Sequence, residues 1–274
     1  MKFIHRQAYQ SDLKDQEWKW FKNFLPQPSI VGTRGRPQKW PMREIVNAML
    51  YLLRTGCQWR MLPHDLPPWP TVYYHYRKWR LSGVWEKLNQ LLHRQVRQDA
   101  GREPTPSAAI VDAQSVKTTL VKGARGFDAG KRVKGRKRHI VVDTLGWLLL
   151  VLVTPADVQD KPGGKQLLTQ LRQRLDLPRL KLVWADGGYG GQPFADWVRK
   201  TFGWVWQVVK RSDDAKGFHV LPRRWVVERT FGWLNNYRRL SKDYEELPAS
   251  SESLIYLAMS HIMVRRLAKT NHFE

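Results

Sequence analysis

The stretch that decides the fold is Ala108–Asp112, AAIVD, in which four apolar residues end on an acid. A short apolar run of this kind predicts a buried β-strand. Leu182–Asp186, LVWAD, repeats the pattern and also ends on an aspartate. Ligands of open α/β sheets bind beyond the carboxyl ends of the strands, so we expect Asp112 and Asp186 to converge although they are remote in the sequence.

Three more predicted strands complete a mixed sheet. Two of them, Arg138–Asp143 and Trp147–Thr154, form a hairpin around a Thr-Leu-Gly turn, and the third is Trp204–Val209. Helices are predicted between and after the strands, over 161–175, 192–201, 223–240 and 253–267. This order predicts an α/β fold in which helices flank a five-stranded mixed sheet.

The first hundred residues show helical patterns alone. Apolar residues at helical spacing, with prolines and glycines at the ends, predict helices over 11–24, 41–55, 71–81 and 84–97. The linker 101–107 contains Gly and Pro and separates this region from the first strand. We therefore expect an all-helical, helix-turn-helix-like domain over 1–100 and a sheet-containing domain, with a C-terminal helix, over 108–274.

The charge of the chain indicates a polyanionic partner. Its 274 residues include 47 Lys and Arg against 24 Asp and Glu, a formal net charge of +23, and the pI is about 10.4. Nucleic acid is the commonest partner of such a protein, although ribosomal proteins and membrane-surface binders have a similar charge.

Other features of the composition favour a soluble protein of the cytoplasm. The single cysteine, Cys57, cannot form an internal disulfide, and the first residues lack the apolar core of a secretory signal. The longest apolar run, Trp147–Val153, is much shorter than the roughly 18 residues that a membrane span needs. The eight histidines show no zinc-ligand spacing, so oxygen ligands, and hence Mg²⁺ or Mn²⁺, are favoured for any metal site.

Glu228 is a third acid of interest, because it is the sole acid of an arginine-rich predicted helix. Each of the three acids also has an ordinary interpretation: Glu228 can pair with Arg224 one turn away, and the two aspartates can belong to turns. Other acids, Asp143 and Asp160 among them, are interpreted as turn and cap residues. Carboxylates that the fold gathers within a basic surface suit divalent cations that act on a phosphodiester.

Five short motifs follow one another along nearly the whole chain. They are Arg34–Pro37 (RGRP), Thr55–Pro63 (TGCQWRMLP), Val111–Thr118 (VDAQSVKT), Ala185–Tyr189 (ADGGY) and Arg223–Phe231 (RRWVVERTF). Together they resemble the DDE transposases of bacterial insertion sequences, in the family numbered five and formerly merged with the family numbered four. Any one motif occurs by chance, whereas the ordered set of five is specific.

The resemblance implies a ribonuclease H-like catalytic domain, with one acid on the first strand, one just after the fourth strand and a glutamate on a later helix. It implies that Asp112, Asp186 and Glu228 are the catalytic and metal-binding triad, which holds two Mg²⁺ ions, with Mn²⁺ able to substitute. One ion activates the attacking water or 3′-hydroxyl and the other stabilises the leaving oxygen. The family signature Tyr-x2-Arg-x3-Glu-x6-Lys is incomplete, because Leu221 and Asn235 stand at its tyrosine and lysine positions.

Several basic and aromatic segments are predicted to contact DNA. Residues 71–80 resemble the recognition helix of a helix-turn-helix, although a tyrosine-rich helix is also ordinary core. The RGRP motif fits a minor-groove hook or a solvated linker, and the basic run 122–139 fits a loop on the phosphate backbone or a solubilising surface. The predicted DNA contacts are Arg34, Arg36, Tyr74, Arg77, Lys78, Arg80, Lys131, Arg132, Arg136, Arg224, Arg229, Asn235, Arg238 and Arg239.

The sequence therefore predicts a transposase that binds the terminal inverted repeats of an insertion sequence, cleaves double-stranded DNA at the ends with divalent metal and joins the 3′ ends to target DNA. A homodimer or larger assembly is expected on DNA, since two ends must be held together. The expected location is the bacterial cytoplasm, at the nucleoid and away from membranes. Two alternatives stay open: a sequence-specific DNA-binding regulator with an inactive catalytic domain, and a structure-specific nuclease of the same fold. Trp184 and Trp225 are expected in the core or stacked on an unpaired base.

Overall fold

A mixed sheet flanked by helices forms the centre of the computed structural model, which describes residues 6–26, 39–120, 122–209 and 225–270. The strands are β1 Ala108–Lys117, β2 Gly126–Asp128, β3 Val133–Asp143, β4 Leu148–Pro155, β5 Leu182–Ala185 and β6 Val205–Val208. The helices are α1 Asp15–Phe24, α2 Met42–Thr55, α3 Trp69–Leu81, α4 Val84–Asp99, α5 Asp160–Arg174, α6 Gln192–Phe202, α7 Trp225–Asn235 and α8 Pro248–Thr270. Short 3₁₀ helices are Trp59–Met61, Gly187–Tyr189 and Arg238–Leu240.

β1 lies in the middle of the sheet. It pairs with β3 in antiparallel and with β5 in parallel orientation, and β6 extends the parallel part beyond β5. On its other side, β3 pairs in antiparallel orientation with β4 and with the short β2. An antiparallel trio joined to two parallel strands is the ribonuclease H-like arrangement, so the predicted α/β fold is confirmed.

The structure extends and corrects the predicted strands. All five are present, but β1 continues past Asp112 to Lys117 and β3 begins at Val133. The added segments are rich in polar side chains, so they lack the apolar run by which a buried strand is predicted. A sixth strand, β2, was not predicted because it is three residues long and pairs with one end of β3.

Three helix boundaries also differ from the prediction. α1 begins at Asp15 and not at Ser11, because the Glu17 carboxylate accepts a hydrogen bond from the Lys14 backbone N–H and fixes the start of the helix there. The helix predicted over 223–240 is α7 followed by a separate 3₁₀ turn, and its first residues lie outside the described part of the chain. α8 is longer than predicted at both ends.

Alternate residues of β1 belong to the two faces of the sheet. Ala109 and Val111 pack in the apolar core under α5 and α6, whereas Ile110 packs in the core under α7 and α8. This alternation is that of a strand buried on both sides. It determines on which face each functional side chain of β1 emerges.

The helical amino-terminal region shares its core with the sheet. Phe21 of α1, Ile45 of α2 and Trp79 of α3 are buried in the same apolar cluster as Ile140 of β3 and Leu257 of α8. α8 contacts α1, α2, α3 and α4 as well as β4. The division into domains 1–100 and 108–274 stays a prediction, but the two parts are packed on each other over a continuous apolar interior. No helix in the described part of the chain is long and apolar enough to cross a membrane.

Candidate active site

Asp112 lies on β1, and Asp186 directly follows the end of the neighbouring parallel strand β5. The last described pair of β1 and β5 is Ile110 with Trp184, and each aspartate follows its member of that pair by two residues. The Ala113 backbone N–H donates to Asp112 Oδ1 at 2.7 Å, and the Gly188 N–H donates to Asp186 Oδ1 at 2.9 Å. Both carboxyl groups are half-buried and are oriented by the backbone.

The alternation of side chains places Asp112 on the face that α7 covers, whereas Asp186 follows the end of β5. Ile110 and Trp184 lie two residues before the aspartates, and both pack in the core that contains Val227 of α7. α7 contacts β1, and Glu228 is exposed on that helix, next in sequence to Val227. The structure therefore places Asp112 and Asp186 at one end of the sheet and Glu228 on a helix that covers one of its faces.

A fourth carboxylate, Asp160 at the start of α5, lies beside Asp186. A Cβ atom added to Gly188 would be 2.7 Å from Asp160 Oδ2 and 3.1 Å from Asp186 Oδ1. The two carboxylates thus approach the same point, and a larger residue than glycine has no room between them. Asp160 was interpreted from the sequence as a helix cap, and the structure adds it to the acidic cluster.

Tyr189 lies under this cluster. Its side chain is fully buried, and its ring lies 2.7 Å from the position of a Cβ atom on Gly164, so α5 packs closely on it. Burial and then the negative charges of Asp160, Asp112 and Asp186 raise the pKa of its hydroxyl well above the ordinary value. The hydroxyl has no hydrogen-bond partner among the described residues. It therefore adds a neutral polar group to a site of clustered carboxylates.

Lys137 of β3 provides the counter-charge on the α5 face of the sheet. Its ammonium lies 3.1 Å from Asp160 Oδ1 and 3.4 Å from Asp128 Oδ2, and the residue is buried. Asp128 of β2 also accepts hydrogen bonds from the Ser115 hydroxyl and the Lys131 N–H. Burial alone would raise the pKa of Asp128, but these bonds and the charge of Lys137 hold it below its ordinary value.

The donor chemistry of the cluster fits a hard divalent cation, since its groups are carboxylates on a half-buried edge. Among the described residues, however, no three His, Cys, Asp or Glu side chains are grouped closely enough to hold one metal ion. The described acids therefore do not form a complete set of metal ligands. That Asp112, Asp186 and Glu228 bind metal stays a proposal.

Most predicted DNA contacts that the structure describes lie on the surface. On α3, Tyr74, Arg77 and Lys78 are exposed and Arg80 is half-buried, whereas Tyr76 and Trp79 are core. The remaining surface residues of the set are Lys131, Arg132, Arg229, Asn235 and Arg238, of which Arg229 is half-buried. Arg34, Arg36 and Arg224, with Leu221 of the incomplete signature, lie outside the described residues.

Two predicted DNA contacts, Arg136 and Arg239, are corrected by the structure, because both side chains are buried and used inside the protein. Arg136 is 1% exposed; it pairs with Asp243 at 3.1 Å and donates to backbone carbonyl groups. Arg239 donates twice to Glu245 and once to the Cys57 carbonyl oxygen. The sequence shows that both residues are cations, but it does not show that Asp243 and Glu245, in the loop before α8, neutralise them.

The basic run 122–139 is corrected in part, because its second half belongs to β3. Arg138, within that half, is buried and donates to the carbonyl oxygens of Leu240 and Lys242. Trp184 is also core, with its indole N–H donated to Gln207, whereas Trp225 is 42% exposed.

Comparisons of sequence match two parts of the chain to transposase families. Residues 103–263 match the family described as "Transposase DDE domain", and residues 13–89 match "Putative transposase of IS4/5 family". The chain is 32% identical over 123 residues to "Putative transposase for insertion sequence element IS402" of Burkholderia cepacia. That match covers 40% of this chain and 54% of the relative, so the chain spans about half the length of that protein.

Further relatives include "Insertion element IS402 uncharacterized 16.2 kDa protein" of Burkholderia cepacia, 29% identical over 109 residues, which cover 38% of this chain and 72% of that protein. Among solved structures, "Crystal structure of the Mos1 mariner paired end complex with Mn" matches with a TM-score of 0.31 and 12% identity, over 93% of this chain and 87% of that one. A TM-score of 0.31 is too low to support a shared fold. The match over residues 103–263 spans more than half of the chain, and the chain belongs to the DDE transposase family.

Proposed function

We propose that this protein is a transposase that cleaves double-stranded DNA at the ends of an insertion sequence and joins the 3′ ends to target DNA. The observation that supports the proposal is that Asp112 of β1 and Asp186, directly after the neighbouring parallel strand β5, each follow the last β1–β5 residue pair by two residues, while α7, the helix of Glu228, contacts β1. Membership of the DDE transposase family supports it.

Asp112, Asp186 and Glu228 are proposed to hold two divalent cations, Mg²⁺ with Mn²⁺ able to substitute. Bound there, such ions would activate the attacking water or 3′-hydroxyl and stabilise the leaving oxygen. The chain's own part is to orient the carboxyl groups, through the backbone N–H groups of Ala113 and Gly188. Glu228 of α7 is the third proposed ligand.

The exposed cations are proposed to position the DNA. The exposed face of α3 carries Tyr74, Arg77 and Lys78, and residues of this kind meet phosphates and base edges. Arg132 lies near β2 in a basic groove that Lys117 and Lys134 also line. A homodimer or larger assembly is proposed on DNA, because two ends must be joined in one event.

The test is magnesium-dependent cleavage of a duplex that carries the inverted repeat flanking the gene. Asp112→Asn, Asp186→Asn and Glu228→Gln are each expected to lower cleavage by about a thousandfold or more, roughly 4 kcal/mol of barrier, while the affinity for DNA is kept. Asp196→Asn, a partly exposed acid on α6, is the matched control and should cleave normally.

Each of the other outcomes of this assay indicates a different site or a different function. Cleavage that survives all three substitutions contradicts the proposed site. Binding without metal-dependent cleavage by the unaltered protein indicates a DNA-binding regulator. Cleavage of branched DNA with no requirement for the repeat indicates a structure-specific nuclease. A branched duplex offered in the same assay separates these outcomes.

A further inference from the structure

A second charged site lies beside the β3–β4 hairpin, away from Asp112 and Asp186. It is a cleft of about 510 Å³ between α2, α7 and α8, and we refer to it as the α7–α8 cleft. Leu145 and Trp147 of the hairpin line it. The hairpin begins at Asp143, which pairs with Ala109 of β1, whereas Asp112 pairs with Ile140, so the two sites are separated by roughly 10 Å along the strand.

The cleft is lined by five cations and by no carboxylate of the described residues. The cations are Arg54, Arg229, Arg265, Arg266 and Lys269. Two acids lie near this set: Glu17, a buried residue of α1 that lies 3.8 Å from the Arg265 guanidinium, and the buried Asp143, whose negative charge acts on Arg229. Five positive charges around so small a space repel one another, and an anion bound between them relieves that repulsion.

Two of the five guanidinium groups are held in place. Arg229 lies between the rings of Trp225 and Trp233, 4.6 and 4.7 Å from their centroids, and donates to the Leu145 carbonyl oxygen at 2.8 Å. Its Nε atom is buried and has no partner among the described residues. Arg54 lies over the Tyr237 ring and donates to the Asn236 carbonyl oxygen. Guanidinium groups fixed in this way lose little entropy when a phosphate binds.

The other three cations lie in the last turns of α8. Arg265, Arg266 and Lys269 are exposed, and Arg265 and Lys269 are one turn apart on the same side of the helix. Cations near a helix carboxyl end also offset the helix dipole, which explains their presence on α8. That effect does not explain why α2 and α7 direct two more cations into the same space.

We propose that the α7–α8 cleft binds the phosphate backbone of a DNA strand outside the acidic site. The inference rests on the proposed function, because it takes the ligand to be the DNA that the acids cut. Glu228 and Arg229 are consecutive on α7, so a strand held in the cleft runs next to the third acid. Duplex DNA carries one negative charge per roughly 1.7 Å of its length. A row of cations from three helices can therefore contact several phosphates in succession.

The test replaces the exposed cations, since they support no packing. Arg265→Ala, Arg266→Ala and Lys269→Ala are combined in the full chain, and binding to a fluorescent duplex of mixed sequence is measured over a range of salt concentrations. The control combines Arg172→Ala, Arg199→Ala and Lys200→Ala, which remove the same charge from α5 and α6 on the other face of the sheet. Arg265→Lys with Arg266→Lys keeps the charge of the cleft.

We expect the cleft variant to lose about ten- to a hundredfold in affinity, and the slope of log K against log salt to fall in magnitude by about 2 to 3, at roughly 0.9 per phosphate contact. The control and the lysine variant should stay within about threefold of the unaltered protein. Equal losses in the cleft variant and the control would overturn the proposal, as would an unchanged slope. Asp112→Asn is run alongside: if it still cleaves DNA while the cleft variant fails to bind, the acidic site of the proposed function is wrong and the cleft is right.

Discussion

The acidic end of the sheet and the α7–α8 cleft are opposite in charge and in construction. The acids stand on strands and on the turn after β5, where backbone N–H groups and the absence of a Cβ at Gly188 set their positions. The cleft is made of long cationic side chains from helices that are remote in the sequence. Chemistry requires carboxylates held within fractions of an ångström, whereas holding a phosphate backbone tolerates flexible cations, so each element type suits its task.

The largest expected effect is a loss of stability when Asp143, the buried acid near the cleft, loses its partner. Asp143 is fully buried at the start of the hairpin and is neutralised by Arg97 of α4, with His93 at 3.3 Å. Burial would raise the pKa of Asp143, but its interactions with His93 and Arg97 outweigh burial and hold it below the ordinary value.

Arg97→Met is therefore expected to destabilise the protein by about 3–5 kcal/mol, because a buried carboxylate is left unpaired. Urea unfolding measures this loss. Arg94→Met, an exposed residue of the same helix, should change stability by less than about 0.5 kcal/mol. A loss no greater than that of the control would show that Asp143 does not depend on Arg97.

The two ends are expected to respond alike to acid, since each contains a buried neutral histidine. Burial lowers the pKa of His139, on the α5 face, to about 4 and that of His261, which contacts Tyr237 beside the cleft, to about 3. An unfolded histidine has a pKa of about 6.5, so below that pH the unfolded chain binds more protons than the folded one.

Stability should consequently fall as the pH drops from about 6.5 toward 4, by about 1.4 kcal/mol per pH unit for each histidine. Urea unfolding at pH 6.5 and 5 measures this fall before the lowered pKa values of Asp128 and Asp143 contribute. His261→Gln should halve the slope. Stability that is constant or rises between those two pH values contradicts the assignment of both histidines as neutral.

The smallest expected effect is that of replacing Asp160. This substitution tests whether the acidic site includes a carboxylate besides Asp112, Asp186 and Glu228. Asp160→Asn removes a negative charge beside Asp186 and leaves Lys137 paired with Asp128 alone. The magnesium concentration for half-maximal cleavage should rise by about tenfold, the lower range for a residue next to metal ligands. Asp176→Asn, an exposed acid, should leave it unchanged; an equal value for both variants would remove Asp160 from the site.

The parts of the molecule that follow from the sequence are those encoded locally. Apolar runs ending on acids predicted β1 and β5, and with them the positions of Asp112 and Asp186. Glu228 was identified by its helix and by the resemblance. Residues whose role depends on register or on the approach of another element were missed. Lys137 becomes the partner of Asp160 only when β3 extends beyond its apolar part and α5 packs closely on the sheet.

Charge was the property that the sequence predicted least well at single residues. Arg136 and Arg239 resemble surface cations until Asp243 and Glu245 are brought against them by the fold. The cations of the cleft have no common motif, because Arg54, Arg229 and Arg265 come from three helices. A net charge of +23 indicates the class of partner but not which cations meet it.

The continuous core under α8 has a consequence for the way DNA reaches the acids. Trp79 of α3 and Ile140 of β3 belong to one packed interior. If α3 binds the duplex as proposed, this shared interior would present the DNA to the strands at a fixed angle. The folded protein itself would then align the scissile bond, without a rearrangement of one half of the chain against the other.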